Sequence, residues 1–153
     1  MSIRYFEDFV VGQSVELGTY QFTAESIIAF ASAYDPQVFH VDPERARQSM
    51  YGGLIASGWH TSAVYMRLLV DALLGQAASL GSPGLDGVRW LKPVRPGDTL
   101  AARITVLDCR ISNTRPDRGI VRSRGEMIDQ HGELVMQLEA INFFARRPES
   151  VDR

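Results

Sequence analysis

The 153-residue sequence predicts an α+β fold in which an antiparallel β-sheet wraps around one long, buried helix. Three observations predict it. Residues 57–75 are apolar nearly all the way round, through Trp59, Val64, Leu68, Leu69 and Leu73, and a helix of that length must be enclosed by other structure. From Gly87 onward, four strand-like runs follow one another, separated by turn residues. Hydrophobic residues make up 45% and charged residues 22% of a chain with no linker, repeat or charge block, which fits a single domain over residues 1–153.

A turn at Gly12 precedes a strand over 13–22. Thr23 is suited to cap a helix reaching Tyr34, in which Ile27, Phe30, Ala31 and Tyr34 recur at i, i+3, i+4 and i+7. Asp35-Pro36 ends that helix, because the residue before a proline avoids the helical region. Residues 35–42 then read as a non-helical linker. A short helix restarts at Pro43, with Asp42 as N-cap and proline in the first helical position, and Gly52-Gly53 breaks it. In the long helix, Ser57 fits the N-cap and Gly75 the glycine stop, and only Arg67 and Asp71, one turn apart, mark a wet stripe. Strands are expected over 87–94, 99–111, 119–129 and 133–144, with apolar alternation at Leu100, Ala102, Ile104 and Val106 and again at Val135, Ile141 and Phe143. A sheet that curls around a single greasy helix satisfies both halves of this pattern, which is a hot-dog architecture. A wrapped sheet with one free face needs a second copy to complete its burial, so a homodimer or higher homo-oligomer is expected.

Composition removes several function classes. Sixteen basic against 18 acidic side chains give a net charge of −2, which recommends neither nucleic acid nor an anionic membrane as partner. The single cysteine, Cys109, makes no internal disulfide and builds no zinc site alone, and it reads as a buried, inert thiol. No metal site is expected. The N-terminus lacks the apolar core of a signal peptide, and the stretch from Trp59 to Leu74 is too short and too charged to span a bilayer. A soluble, cytoplasmic protein is the expectation, with a polar tail over 146–153 that frays.

Three histidines carry the possible chemistry. His131 lies in an evident hairpin tip, Asp129-Gln130-His131-Gly132, and reads as solvated. His60, in the first turn of the long helix, is either a core or interface residue or a pocket-lining group. His40 differs, because it follows Asp35 by five positions in a turn-rich segment that can bring both side chains to one cavity. A carboxylate and an imidazole at hydrogen-bond reach are competent to move protons to and from water or a carbon acid. The same pair also serves elsewhere as simple local capping. A second constellation, Tyr51-Gly52-Gly53-Leu54-Ile55-Ala56-Ser57-Gly58-Trp59-His60, leads into the N-terminus of the buried helix, where the first N–H groups have no internal partners and the dipole is positive. Gly58 has no side chain to block its N–H, which is suited to a carbonyl oxygen that is becoming an enolate. Close packing of helix on sheet accounts for the glycines equally well.

Together these segments resemble the MaoC-like dehydratases, the (R)-specific enoyl-CoA hydratases and their relatives, over nearly the whole chain from Tyr5 to about Phe144. The family motif Asp-x-Asn-Pro-x-His-x-Asp has its counterpart in Asp35-Pro36-Gln37-Val38-Phe39-His40-Val41-Asp42, with Gln37 in place of the asparagine and Val38 in place of the proline. Leu91-Lys92-Pro93-Val94-Arg95-Pro96-Gly97-Asp98 is similar to the family's Lys-Pro-Val-x-x-Gly-Asp hairpin. The resemblance implies a hot-dog fold and a dimer that buries substrate at the subunit interface. It also implies Asp35 and His40 as catalytic residues and the Gly58 amide as thioester donor.

The implied reaction is reversible hydration of a 2-enoyl-CoA to a 3-hydroxyacyl-CoA. No cofactor is needed beyond the coenzyme A of the substrate, because the thioester supplies the acidity. Ser57, Gln37, Phe39, Tyr51 and Trp59 are the expected substrate-contacting residues, with Arg89 and Arg95 as candidate phosphate contacts. Thioester hydrolysis and a non-catalytic acyl-thioester-binding role are the alternatives consistent with the same residues.

Overall fold

A computed structural model describes residues 2–149. After a single 3-10 turn at Phe6–Asp8 the chain runs through β1 (Ser14–Gln21), α1 (Ala24–Tyr34), α2 (Val38–Val41), α3 (Pro43–Arg47) and α4 (Gly58–Ala72). Four strands follow: β2 (Ser79–Trp90), β3 (Thr99–Ile111), β4 (Arg118–Ile128) and β5 (Leu134–Ala145). All five strands form one antiparallel sheet in the order β1-β3-β4-β5-β2.

The sheet curls around α4, and the helix meets every strand. Leu68 lies against Gly18 of β1, Tyr65 against Gly125 of β4, Ser62 against Met136 of β5, and the start of the helix against Trp90 of β2; the helix also packs on β3. This is the hot-dog arrangement. Phe22, Ile27, Leu100, Met127 and Met136 are fully buried at its centre. At about 25 cal/mol per Å² of apolar area removed from water, this one core dominates folding.

Local sequence explains most element ends. Thr23 caps α1 in a reciprocal box with Ser26, each side chain bonding the other's backbone N–H at 3.0–3.1 Å. Asp42 caps α3 by accepting from the Glu44 and Arg45 N–H groups at 3.1 Å, with Pro43 in the first helical position.

The structure departs from expectation in several places. The linker over 35–42 contains one helical turn, α2, too short to show any periodicity. The long helix stops at Ala72, and Gly75 lies in a following 3-10 turn instead of capping it. Strand β2 starts eight residues before Gly87 and ends at Trp90. It is an exposed edge strand with three register shifts against β5, and Gly81, Gly84 and Gly87 take positive φ along it, so no alternation marks it. Along β5 Val135 and Met136 are both buried, and beyond them Leu138, Ala140, Asn142 and Phe144, so Ile141 and Phe143 are left half-buried on the other face and do not continue the row begun by Val135. Cys109 is half-buried, and burial with the neighbouring Asp108 charge pushes its thiol pKa up, as for an unreactive thiol.

The tail is anchored where fraying was expected. Arg147 grips both oxygens of Asp8 at 2.6 and 2.7 Å, and its N–H donates to Glu7. The rest of the expected tail, residues 150–153, lies outside the described residues. No described helix is long and apolar enough to cross a membrane.

The long helix is enclosed on one side only. His60, Thr61, Val64, Tyr65 and Leu69 point into the sheath, whereas Trp59, Met66 and Val70 are 60%, 48% and 40% exposed. With Ala63 they make one stripe at i, i+4, i+7 and i+11. Leu85 and Trp90 of β2 are also exposed.

His60 joins α4 to α1: its ring stacks on Phe30 at 4.8 Å and meets Phe22 edge-on at 4.9 Å, and its buried Nδ1 has no hydrogen-bond partner among the described residues. Burial pushes its pKa down from 6.5 to about 4. The native state therefore holds the neutral ring, and the unfolded chain takes up the proton first. Stability is unaffected by this group above pH 6.5 and falls as pH drops from 6.5 towards 4, by up to about 3 kcal/mol. Chemical denaturation followed between pH 7 and 4.5 checks this, and in His60→Phe the slope over that window is expected to flatten.

Candidate functional site

The end of α1, the α2 turn and the start of α4 converge on the Asp35 carboxylate. Asp35 is the C-cap of α1, and Pro36 turns the chain so that Gln37 and then α2 fold back over it. Gln37 Nε2 donates to Asp35 Oδ1 at 2.7 Å, and Ser57 Oγ donates to Oδ2 at 2.7 Å. His40 Nε2 faces the same Oδ2 at 3.3 Å. Burial acts to raise the Asp35 pKa, but the Ser57 and Gln37 bonds and the charge of His40 outweigh it and hold the carboxyl below its ordinary 3.8.

His40 is 6% exposed and held from both ends. Its Nδ1 lies 2.7 Å from the Ile55 carbonyl. A carbonyl only accepts, so Nδ1 carries a hydrogen and donates it, and Nε2 is the atom free to take up or release a proton. The Phe39 carbonyl accepts from Ile55 N–H at 3.0 Å, which ties α2 to the segment entering α4. Asp42, the last acidic residue of the motif, is engaged in capping α3 and takes no part in the pair.

Asp35 and His40 open onto a cleft of about 570 Å³. Gln37, Phe39, Tyr51, Gly58 and Trp59 line it as well, which brings together seven of the candidate residues from the sequence. Phe39 packs edge-on to both His40 and Tyr51. At Gly58, the first residue of α4, the N–H makes no hydrogen bond among the described residues. The two readings of this glycine are compatible: a Cβ there would sit 2.3 Å from the Trp90 indole, so its absence both admits Trp90 and leaves the amide uncovered.

Three candidates lie elsewhere. Ser57 is fully buried and sits behind Asp35, outside the cleft wall. Arg95 also lies outside the wall, and its guanidinium donates to the Tyr51 carbonyl at 2.6 Å, bracing that loop. Arg89 lies exposed on edge strand β2, away from the lining. Of the other histidines, His60 is core and His131 is exposed at the β4–β5 turn. Among the described residues, no three His, Cys, Asp or Glu side chains are placed to hold a metal ion.

The segment from Trp90 to Val94 forms the facing wall and was not singled out from sequence as a site. Its signal was the motif around Lys92, the chain's one lysine. Lys92 Nζ donates to Asp129 Oδ2 at 2.6 Å and also to Glu133, which holds the Asp129 pKa down at about 2. Those bonds fix the wall to the β4–β5 hairpin. Trp90 Nε1 donates to Ser62 Oγ at 3.1 Å, and the indole meets Trp59 edge-on at 5.1 Å. Gly58→Ala is expected to push the indole off this seat, shift the tryptophan fluorescence and cost about 1–3 kcal/mol; the double variant with Trp90→Leu recovers most of the stability.

Comparison with known proteins places the fold in a family. A family model described as "MaoC like domain" matches residues 8–124. The crystal structure of the MaoC-like dehydratase from Rhodospirillum rubrum has 43% sequence identity and a TM-score of 0.88, over 94% of this chain and 98% of that one. The uncharacterized protein YdeM of Bacillus subtilis is 30% identical over 102 residues, 67% of this chain and 72% of YdeM. The 3-hydroxyacyl-thioester dehydratase Z of Mycobacterium tuberculosis is 38% identical over 82 residues, about half of each chain. The chain therefore belongs to the MaoC-like domain family, which includes hydratases and dehydratases.

Proposed function

We propose that the chain is a hydro-lyase that adds water reversibly to a 2-enoyl-CoA thioester to give a 3-hydroxyacyl-CoA. The observation that carries this reading is the Asp35–His40 pair opening onto the cleft beside the unpaired Gly58 amide. The relative from Mycobacterium tuberculosis, named as a 3-hydroxyacyl-thioester dehydratase, supports the same chemistry.

The thioester carbonyl accepts the Gly58 N–H, which draws electron density from the double bond and makes C3 electrophilic. Preorganised donors of this kind are worth about 3–4 kcal/mol in the transition state. Oδ2 of Asp35 is occupied by Ser57 and His40, so Oδ1, bonded among the described residues only to Gln37, keeps a lone pair for water. Oδ1 takes one proton as the water oxygen bonds to C3. His40 Nε2 gives its proton to C2 as the enolate collapses, the proton held by Asp35 then passes to Nε2 and restores the pair, and dehydration reverses each step. The net change is H at C2 and OH at C3. No metal or redox cofactor enters the scheme.

We also propose that the protein works as a homodimer. The apolar stripe of α4 is exposed, and its first member, Trp59, lines the cleft together with Trp90. A second copy seated on this face would bury the stripe and close the mouth of the cleft.

Asp35→Asn and His40→Ala are each expected to slow hydration of enoyl-CoA esters by about 10²–10⁴-fold with circular dichroism unchanged; undiminished turnover in either variant would remove the assigned role. Met66→Glu places a charge in the exposed stripe, and light scattering is expected to give half the wild-type mass. A wild-type mass of one chain would exclude the dimer.

A further inference from the structure

Ser57 lies completely out of solvent, and its hydroxyl has two fixed partners. Its oxygen accepts the Trp59 N–H at 3.2 Å, the N-cap bond of α4. A backbone N–H only donates, and the carboxylate of Asp35 only accepts, so the single hydroxyl hydrogen lies on the 2.7 Å contact to Oδ2. One hydroxyl thus closes the first turn of the central helix and also grips the carboxylate. This bond spans 22 residues of sequence and directly links α4 to the end of α1.

We infer that Ser57 is a positioning residue that sets the orientation and proton affinity of Asp35, and thereby couples the N-terminus of α4 to the water-activating carboxylate. The inference rests on the hydratase reading for its catalytic consequence, though not for the coupling itself. Ser57 occupies Oδ2, the oxygen that His40 also faces, and so leaves Oδ1 to Gln37 and to an incoming water.

The surroundings of Asp35 make Ser57 a strong lever. Burial opposes the charge; the Ser57 bond heads the interactions that favour it, followed by the Gln37 bond and the charge of His40. His40, on α2, is the charged group acting on the carboxylate. Lys92 shares the cleft but is bound to Asp129 and Glu133. A charge-assisted hydrogen bond from a buried donor is among the stronger ones a carboxylate receives, and losing it shifts the balance towards the protonated form.

Two variants separate this role from capping. Ser57→Ala removes both the cap and the grip, whereas Ser57→Gly keeps most of the cap preference and loses only the grip. The Asp35 carboxyl carbon, followed by ¹³C NMR titration, is expected to show a midpoint raised by about one pH unit in both variants. With enoyl-CoA, kcat is expected to fall about ten- to a hundredfold with little change in KM, and the acid limb of the pH profile should move up in step with the titration. An Asp35 midpoint unchanged in both variants would overturn the inference and leave Ser57 as a helix cap. If the wild-type protein hydrates no enoyl thioester, the hydratase reading fails, and the titration still decides the coupling.

Discussion

Three segments that are distant in sequence meet at the Asp35 carboxylate, and the site exists because they do. Oδ1 holds Gln37 at the turn out of α1, and Oδ2 holds Ser57 at the start of α4 and faces His40 on α2. A carboxylate this enclosed resists ionisation unless donors compensate, and here three groups do so. Their combined effect keeps it anionic and fixed in rotation. The imidazole is oriented independently, through the Ile55 carbonyl, so the reactive nitrogen does not depend on the carboxylate for its tautomer.

The sheath around α4 makes that junction useful. A helix in contact with all five strands has little freedom to rotate or slide, so the first amide of α4 is held where the sheet puts it. Trp90 presses on Gly58 from the edge strand, and Lys92 anchors the following residues to the opposite hairpin through two carboxylates. The oxyanion role proposed for the Gly58 amide needs a donor that does not reorganise during the reaction, and packing of this kind holds the amide in place. The open stripe of Trp59, Met66 and Val70 marks the one side where the sheath is incomplete.

Much of this was readable from the residues, for reasons that also explain what was not. The caps Thr23, Asp42 and Ser57 announce themselves because their side chains bond backbone groups within three residues, a purely local event. The pairing of Asp35 with His40 is likewise local, five positions across a proline turn. Edge strand β2 was only partly legible, since solvent on both sides removes apolar alternation and its three positive-φ glycines resemble a turn. Reversal of the buried face along β5, where Val135 and Met136 are both buried before Leu138, misleads any reading that extends a period of two through it. The role of Ser57 was hidden because its partner lies 22 residues away, and Trp90 and Lys92 because a facing wall is a tertiary fact.

The central claim is that Asp35 and His40 pass a proton between water and C2 of an enoyl thioester as the water oxygen bonds to C3. Turnover of a panel of 2-enoyl-CoA esters in deuterium oxide, with the products read by mass spectrometry and the free thiol assayed in parallel, tests it most directly. The account predicts a 3-hydroxyacyl-CoA carrying one non-exchangeable deuterium, at C2, with no release of coenzyme A. Free coenzyme A with an unsaturated acid, or recovery of every ester unchanged, would contradict it.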